Sequence, residues 1–154
     1  MRILVFSDSH GVIGNCLSQI ARIGAVDMIL HAGDVSADAE DIASVYPDIP
    51  VRYVSGNCEM SRADTESIVE ADGVRIFLTH GHGYRVKYEP DYATLLRRGR
   101  QVGARVCVFG HTHKPLCHNL GDITLLNPGS SRYGGTYAVI EIEDGKVGCA
   151  VLDM

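Results

Sequence analysis

The most regular feature of the sequence is a set of short apolar runs, each followed within a few residues by Asp, His or Asn. The runs are rich in branched aliphatic residues, as strands buried on both faces are. Parallel neighbours in a sheet release their C-terminal loops at one edge, where open α/β sheets bind ligands. We therefore expect seven polar side chains to converge on one crevice. The five runs, each with its polar residues, are 2–7 with Asp8 and His10, 28–31 with Asp34, 51–54 with Asn57, 75–78 with His80, and 105–109 with His111 and His113.

In the first half of the chain these runs alternate with segments of helical periodicity. Apolar residues recur at helical spacing over about 13–23 and, more loosely, over about 37–46, and we predict a helix in each segment. Gly24 suits the C-terminus of the first helix and Ser36 the N-cap of the second. Strands alternating with helices in this way predict a parallel sheet with right-handed crossovers.

The second half of the chain is dominated by hairpin signals. An Asp-Gly pair between two apolar runs is the strongest of these signals, and it occurs at Asp72-Gly73 and at Asp144-Gly145. A third hairpin is expected from residues 116–118 and 123–126, closed by the turn-forming Asn127-Pro128-Gly129.

A helix is expected between the hairpins, from Pro90-Asp91 to about Gln101. The simplest way to bury all these elements is a pair of packed sheets with helices outside, and the pattern alone favours one mixed and one antiparallel sheet. No repeat or interdomain linker divides the chain, so residues 1–154 are expected to form one domain.

Composition and charge narrow the class of protein. The chain has 154 residues, 45% apolar and 21% charged, as is ordinary for a globular domain. A net charge of −5 argues against a nucleic-acid partner. The apolar stretch at the N-terminus has only four residues, too few for a signal-peptide core or a membrane span. Five scattered cysteines, an odd number without CxxC spacing, favour the cytoplasm.

The residues that follow the runs are those that divalent transition metals prefer. Asp8 and His10 are two positions apart at a strand end, so both can turn toward one ion once the strand gives way to a loop. The same spacing recurs at His111 and His113. Taken singly, such motifs are explained as well by ordinary turns. All seven residues together, each after an apolar run, favour a metal site.

The set of motifs resembles one known superfamily. Asp-x-His at Asp8, Gly-Asp at Asp34, Gly-Asn-x-Glu at Asn57, His-Gly-His at His80 and Gly-His-x-His at His111, in this order, resemble the calcineurin-like metallophosphoesterases. The compact length and the segment Asn127-Pro128-Gly129-Ser130 resemble the small bacterial and archaeal phosphodiesterase branch of that superfamily. The resemblance implies a four-layer αββα sandwich of two mixed sheets flanked by helices.

The resemblance also implies a ligand set and a mechanism. It assigns two divalent metal ions to the chain, Mn first, with Ni, Co, Fe or Zn as alternatives. Two such ions roughly 3.5–4 Å apart can hold a bridging hydroxide that attacks phosphorus in line. The implied ligands of the first ion are Asp8, His10, Asp34 and His113, and those of the second are Asp34 as the shared bridge, Asn57, His80 and His111.

Four further residues are candidates for substrate or supporting roles. Many family members have His after the Gly-Asn pair, where it assists the leaving group. In this chain Cys58 takes the place of that His. A thiol is a poor proton donor near neutral pH. Glu59 is a candidate to orient its neighbours. His82 is a candidate proton donor or phosphate contact, with a solvent-facing histidine as the alternative. Arg132 is a candidate anion contact, with an exposed salt bridge as the alternative.

The sequence thus predicts a metal-dependent phosphoric ester hydrolase, first of all a phosphodiesterase acting on a small phosphodiester or nucleotide-like substrate. Two alternatives stay open. One is a non-catalytic metal-binding scaffold resembling the retromer subunit of this fold, and the other is a phosphomonoesterase or nucleotide phosphatase. The resemblance is compatible with a homodimer and gives no reason to expect a membrane partner.

Overall fold

Ten strands, three α-helices and one short 3-10 turn make up the computed structural model, which describes all 154 residues. The turn covers His82–Tyr84. The elements in chain order are β1 Arg2–Phe6, α1 Gly14–Ile23, β2 Met28–His31, α2 Ser36–Val45, β3 Val51–Tyr53, β4 Glu66–Ala71, β5 Val74–Thr79, α3 Ala93–Gln101, β6 Val106–Val108, β7 Leu116–Asn119, β8 Thr124–Asn127, β9 Thr136–Glu143 and β10 Lys146–Asp153. No helix is both long enough and apolar enough to cross a membrane.

The strands form two sheets of five strands, and both sheets are mixed. The first has the order β10-β9-β1-β2-β3, with β1, β2 and β3 parallel. The second has the order β4-β5-β6-β8-β7, with β5, β6 and β8 parallel. The expectation of an antiparallel second sheet is therefore wrong. Hairpin signals identify only strands that are joined by a tight turn. Here the two hairpins place β4 and β7 at the edges of the sheet, whereas longer connections join β5, β6 and β8, which are therefore free to run parallel.

Side chains that alternate along each strand build three separate cores. Ile3 and Val5 of the first sheet pack with Ile76 and Leu78 of the second, in a core between the sheets. On the outer face of the first sheet, Leu4 and Phe6 of β1 pack against the first two helices. This second core also includes Ile20 of α1 and Ile42 of α2. On the outer face of the second sheet, the third core includes Phe77, Leu95, Leu96 and Phe109. Three cores between four layers give the αββα sandwich that the resemblance implied.

Local turn chemistry explains most element ends. Gly24 has φ +77° and donates its N–H to the Ile20 carbonyl, so it ends α1 as predicted. The Asp-Gly turns close the β4–β5 and β9–β10 hairpins, and both residues of each turn have positive φ, as a two-residue hairpin turn requires.

Three boundaries differ from the predictions. Ser36 is the first residue of α2 and not its N-cap, because its N–H and hydroxyl are both donated to the Glu59 carboxylate. The β7–β8 hairpin closes through residues 120–123, and the Asn-Pro-Gly turn follows β8. The third helix begins at Ala93 and not at Pro90, because Tyr92 has φ +55°.

Candidate metal centre

The seven predicted ligands lie just beyond the C-terminal ends of five strands, β1, β2, β3, β5 and β6. Most of them have a backbone conformation that side chains seldom adopt. Asn, Asp and His enter the left-handed region more readily than other residues, and such strain concentrates at functional sites. The five with positive φ are Asp8 (+52°), His10 (+47°), Asp34 (+99°), His111 (+64°) and His113 (+58°).

The Asp8 side chain is held by two hydrogen-bond donors and is only 1% exposed. One carboxylate oxygen, Oδ2, accepts hydrogen bonds from the Ser7 hydroxyl at 2.6 Å and from the His111 backbone N–H at 3.1 Å. These two donors turn the other oxygen, Oδ1, toward the histidines. Asp8 Oδ1 lies 3.1 Å from His113 Nε2 and 4.0 Å from His80 Nε2.

Two groups of candidate ligands meet at Asp8. The first contains Asp8, His10 and His113, in which the two histidine Nε2 atoms are 3.3 Å apart. The second contains Asp8, Asp34 and His80. Asp34 also reaches toward the first group, since its Oδ2 lies 2.6 Å from His10 Nδ1. Both carboxylates are thus placed between the groups, whereas the resemblance assigned the bridging position to Asp34 alone.

The other two predicted ligands adjoin the second group. Asn57 Oδ1 lies 2.9 Å from His80 Nε2, and the His111 ring packs edge-on to the His80 ring at a centroid distance of 5.0 Å. All seven side chains therefore share one crevice. Gly56 makes this approach possible, because a Cβ at position 56 would overlap the Asp34 backbone.

The protonation of the histidines suits metal binding. His80 Nδ1 lies 2.8 Å from the Ala32 carbonyl, which can only accept, so Nδ1 carries the proton and Nε2 keeps its lone pair. Burial lowers the pKa of His80 below its usual value. Burial and, as the next largest cause, the nearby His80 lower the pKa of His111 to about 4. Both imidazoles are therefore neutral at pH 7, the form that binds a metal.

The chemistry of the donor set fits one or more divalent cations. Asp34 Oδ2 is buried and receives no hydrogen bond, despite its 2.6 Å distance from His10 Nδ1. A buried carboxylate oxygen left without a donor is costly unless a cation satisfies it. Carboxylate, imidazole and amide oxygen together are ligands for Mn, Fe, Co, Ni or Zn.

The four further candidates lie around this crevice with different contacts. The His82 ring centroid is 5.6 Å from that of His80 and 6.2 Å from that of His111. The nearby Asp34 raises the pKa of the exposed Cys58 thiol. Whether His82 or Cys58 contributes to a reaction stays a prediction.

Glu59 and Arg132 form hydrogen bonds with the backbone of the loops that carry the predicted ligands. The Glu59 carboxylate accepts from the N–H of Ser36 at 2.9 Å and from the N–H of Gly56 at 3.2 Å, which ties the Asn57 loop to α2. The Arg132 guanidinium donates to the His10 carbonyl at 2.7 Å and lies over the Tyr133 ring. The predicted contact of Arg132 with a substrate anion stays a prediction.

A buried chain of hydrogen bonds that the sequence did not predict supports two of the ligand loops. His31 Nδ1 accepts from the Gly33 N–H, so its Nε2 carries the proton and donates to Ser9 Oγ at 2.9 Å. The Ser9 hydroxyl donates to Asp38 Oδ2 at 2.5 Å, and the same oxygen accepts from the Gly11 N–H. The chain connects the loop that carries His10 to the loop that carries Asp34.

The Asn127–Ser130 segment supports two further ligand loops. The Asn127 side-chain amide donates to the Gly110 carbonyl at 3.0 Å, next to His111. The Ser130 hydroxyl donates to the Asp8 carbonyl at 2.8 Å. The sequence indicated this segment as a turn and as a motif of the family branch, and it did not predict these contacts. It also missed Tyr133, whose ring centroid is 5.1 Å from that of His10.

Comparison with known proteins decides the family. The profile of the calcineurin-like phosphoesterase superfamily domain matches residues 1–145. The chain belongs to the calcineurin-like phosphoesterase superfamily. A curated relative, the probable metallophosphoesterase YsnB of Bacillus subtilis, is 31% identical over 94% of this chain and 86% of its own length.

Solved structures of other proteins agree with the fold. A conserved protein of Streptococcus pneumoniae, described as a predicted phosphoesterase, superposes with a TM-score of 0.80 at 28% identity, covering 99% of this chain and 88% of that one. Vps29 of Entamoeba histolytica, solved with Zn²⁺, superposes with a TM-score of 0.75 at 22% identity, covering 99% of each chain. At that identity the likeness to Vps29 concerns the fold alone.

Proposed function

We propose that this superfamily member is a phosphodiesterase that uses two divalent metal ions. The observation that carries the proposal is the position of Asp8 and Asp34 between two groups of neutral or acidic ligands. A carboxylate placed in this way suits a pair of ions better than one ion. Two ions, when bound, would supply a water that is nucleophilic at neutral pH and would offset charge on the phosphate.

Residues of the chain are positioned so that they would hold and orient these ions. Asp8 is fixed by the Ser7 hydroxyl and the His111 N–H, so its free oxygen has one direction available. His80 is fixed through Ala32, and the Asn57 loop is fixed through Glu59. Prepositioned ligands avoid reorganisation when the substrate phosphate binds.

The absence of an imidazole at position 58 favours diesters with good leaving groups. The nearby Asp34 raises the pKa of the Cys58 thiol, so the thiol does not acquire the near-neutral pKa that would suit it to protonate a departing alcohol. A phosphodiesterase of Methanocaldococcus jannaschii, 24% identical over 84% of this chain and 83% of its own length, has a name that agrees with this proposal.

A second candidate function is a metal-binding scaffold. Its support is the superposition on Vps29 structures over almost the whole chain. Metal binding without hydrolysis of any ester would favour the scaffold over the enzyme.

Metal identity and compartment are part of the proposal. We infer Mn as the first choice, with Ni, Co, Fe and Zn as alternatives, because the ligand set is nitrogen and oxygen only. Five free cysteines and no disulfide support the cytoplasm as the compartment. A homodimer stays a prediction.

The test is hydrolysis of bis-p-nitrophenyl phosphate and p-nitrophenyl phosphate, side by side. The protein is stripped of metal and refilled with Mn²⁺, Ni²⁺, Co²⁺ or Zn²⁺, and the bound metal is counted by mass spectrometry. Asp34→Asn and Asn57→Ala are the site variants. His118→Ala is the control, because His118 is exposed on β7 and is not one of the seven predicted ligands.

We expect metal-dependent diester turnover with two ions per chain in the wild type and in the control. Both site variants should lose turnover. A preparation that binds one ion per chain, or that hydrolyses the monoester faster than the diester, would contradict the proposal.

A further inference from the structure

A groove beside the candidate metal centre is positively charged, in a protein whose net charge is −5. Its volume is about 450 Å³, within the range of pockets that hold small molecules. The residues that line it include Lys87, Tyr88, Glu89, Tyr92, Thr112 and Lys114.

The groove adjoins the metal ligands through the loop that follows β6. Thr112 lies between the predicted ligands His111 and His113, and Lys114 comes directly after His113. The rest of the lining, including Lys87, comes from residues 86–92, which precede α3. A molecule held at the metals can therefore extend into the groove.

The two lysines are free to bind an anion. They are two of only three lysines in the sequence, and neither forms a salt bridge. Glu89 is the one carboxylate in the lining, and it is already engaged by Thr94, whose N–H and hydroxyl donate to it at 2.8 and 2.6 Å. Arg85 lies 3.6 Å from the same carboxylate and offsets its charge.

Thr112 adds a neutral donor to the groove. Its hydroxyl oxygen accepts from the Asn127 amide at 3.0 Å and from the Lys114 N–H at 3.2 Å. With both lone pairs used, the hydroxyl hydrogen is available for an acceptor in the groove. Two ammonium groups and one hydroxyl donor suit a phosphate group, which presents several strong acceptor oxygens.

Aromatic side chains form the rest of the lining. Tyr92 is half-buried and packs on Phe109 at a centroid distance of 5.2 Å, which fixes its ring in the wall. Tyr88 is 78% exposed at the rim. Planar rings beside cationic groups are suited to a nucleoside that carries a phosphate.

Building on the proposed function, we propose that Lys87, Lys114 and Thr112 form a second phosphate subsite, and that the enzyme prefers diesters in which one alcohol is a nucleoside-sized group carrying a second phosphate. The residues of the candidate metal centre, with metal bound, would hold the scissile phosphate, and the groove would hold the other one. The lysines thereby determine substrate choice and take no part in the reaction at the first phosphate.

The test compares two substrates that differ by one phosphate. They are the p-nitrophenyl ester of thymidine 5′-phosphate and the same ester with a 3′-phosphate, which share one leaving group. We expect the 3′-phosphorylated ester to have a kcat/KM about tenfold higher or more, the scale of one charge-assisted hydrogen bond. The Lys87→Ala/Lys114→Ala double variant should bring the ratio close to one.

Matched controls separate charge in the groove from charge elsewhere. Lys146→Ala removes the third lysine, which is exposed on β10, and should keep the wild-type ratio. Turnover of bis-p-nitrophenyl phosphate, which has no second phosphate, should stay unchanged in Lys146→Ala. In the double variant the ratio between the two thymidine esters is the measured quantity, because any change that affects both esters equally cancels in it. A wild-type ratio of one, or an unchanged ratio in the double variant, would overturn the subsite.

A binding measurement keeps the subsite separable from the proposed activity. Calorimetry on metal-loaded protein compares thymidine 3′,5′-bisphosphate with thymidine 5′-monophosphate in the wild type and in the double variant. If no ester is hydrolysed, the proposed activity fails, and calorimetry alone decides the subsite. The subsite is supported if the wild type binds the bisphosphate more tightly than the monophosphate and the double variant does not. It is overturned if the wild type binds both ligands with equal affinity.

Discussion

A single methyl group added at position 110 should disable the candidate metal centre. Gly110 follows β6 and directly precedes His111, and its backbone passes close to the β1 loop. A Cβ at this position would overlap the Ser7 hydroxyl and would lie 2.6 Å from Asp8 Oδ2. Gly110→Ala therefore places an apolar group against the Ser7 hydroxyl, which orients the Asp8 carboxylate, and against the carboxylate itself.

The size of the effect follows from how little room these atoms have. An ordinary contact begins at about 3.4 Å, so Asp8 Oδ2 would have to recede by about 0.8 Å. Ser7 is fully buried and Asp8 is 1% exposed, so neither can turn out into solvent. Overpacking of this kind costs about 1–3 kcal/mol of stability. A displacement of about 1 Å at a reacting centre can reduce turnover about 100-fold.

Three measurements on Gly110→Ala test this reasoning. We expect a lower metal content after dialysis, a loss of diester turnover of about 100-fold, and a melting temperature lowered by about 2–4 °C for each kcal/mol lost. Gly148→Ala is the matched control, because no atom lies within 4 Å of a Cβ built there and the residue is exposed in β10. The control should keep both metal and turnover.

One result would refute the argument directly. If Gly110→Ala binds metal and turns over substrate as the wild type does, the Asp8 carboxylate is not confined by the loop after β6. The structural explanation for the glycine in the Gly-His-x-His motif would then fail. A loss of stability of about 1–3 kcal/mol with full metal content and full turnover would show that the overpacking does not reach the metal site.

Two further predictions concern residues around the ligands. Burial lowers the pKa of His31 to about 4, below its usual 6.5, so the unfolded chain binds more protons between these values and stability falls as the pH falls. Urea unfolding of the metal-free protein at pH 6.5 and at pH 4 should show this loss of stability. His31→Gln should make the loss smaller by about 3 kcal/mol. Parallel pH profiles for the two proteins would show that His31 does not titrate in this way. Glu59→Gln removes the charge that ties Gly56 to α2, and metal affinity and turnover should fall about 10–100-fold. The exposed Glu143→Gln is its control, and equal losses in both variants would contradict a specific role for Glu59.

Local pattern was sufficient to predict the elements and the ligand types. The apolar runs became strands, and the Asp-Gly pairs became hairpin turns with positive φ at both residues. These features depend on neighbours in sequence, through side-chain alternation and backbone preference. The prediction of an antiparallel second sheet was wrong because strand order in a sheet depends on partners that are far apart in the chain, which local pattern does not reveal.

Supporting contacts could not be predicted, because they connect distant segments. The Ser130 hydroxyl and the Asp8 carbonyl are 122 positions apart, and Ser9 and Asp38 are 29 positions apart. Asp38 lies in an ordinary amphipathic helix, where a carboxylate gives no local sign of a buried partner. Hydrogen bonds of this kind arise only once the loops are packed against one another.

The sequence by itself determined which atoms are available to a metal and that they follow the C-terminal ends of strands. Residue type fixes the donor chemistry, and strand polarity fixes the end of each strand at which the ligands lie. Only the tertiary structure decided which oxygen of Asp8 faces His113, that Asp8 and Asp34 both lie between the two ligand groups, and that Lys87 and Lys114 share a groove. Those outcomes depend on side-chain directions and on loop packing, which are set by contacts across the whole domain.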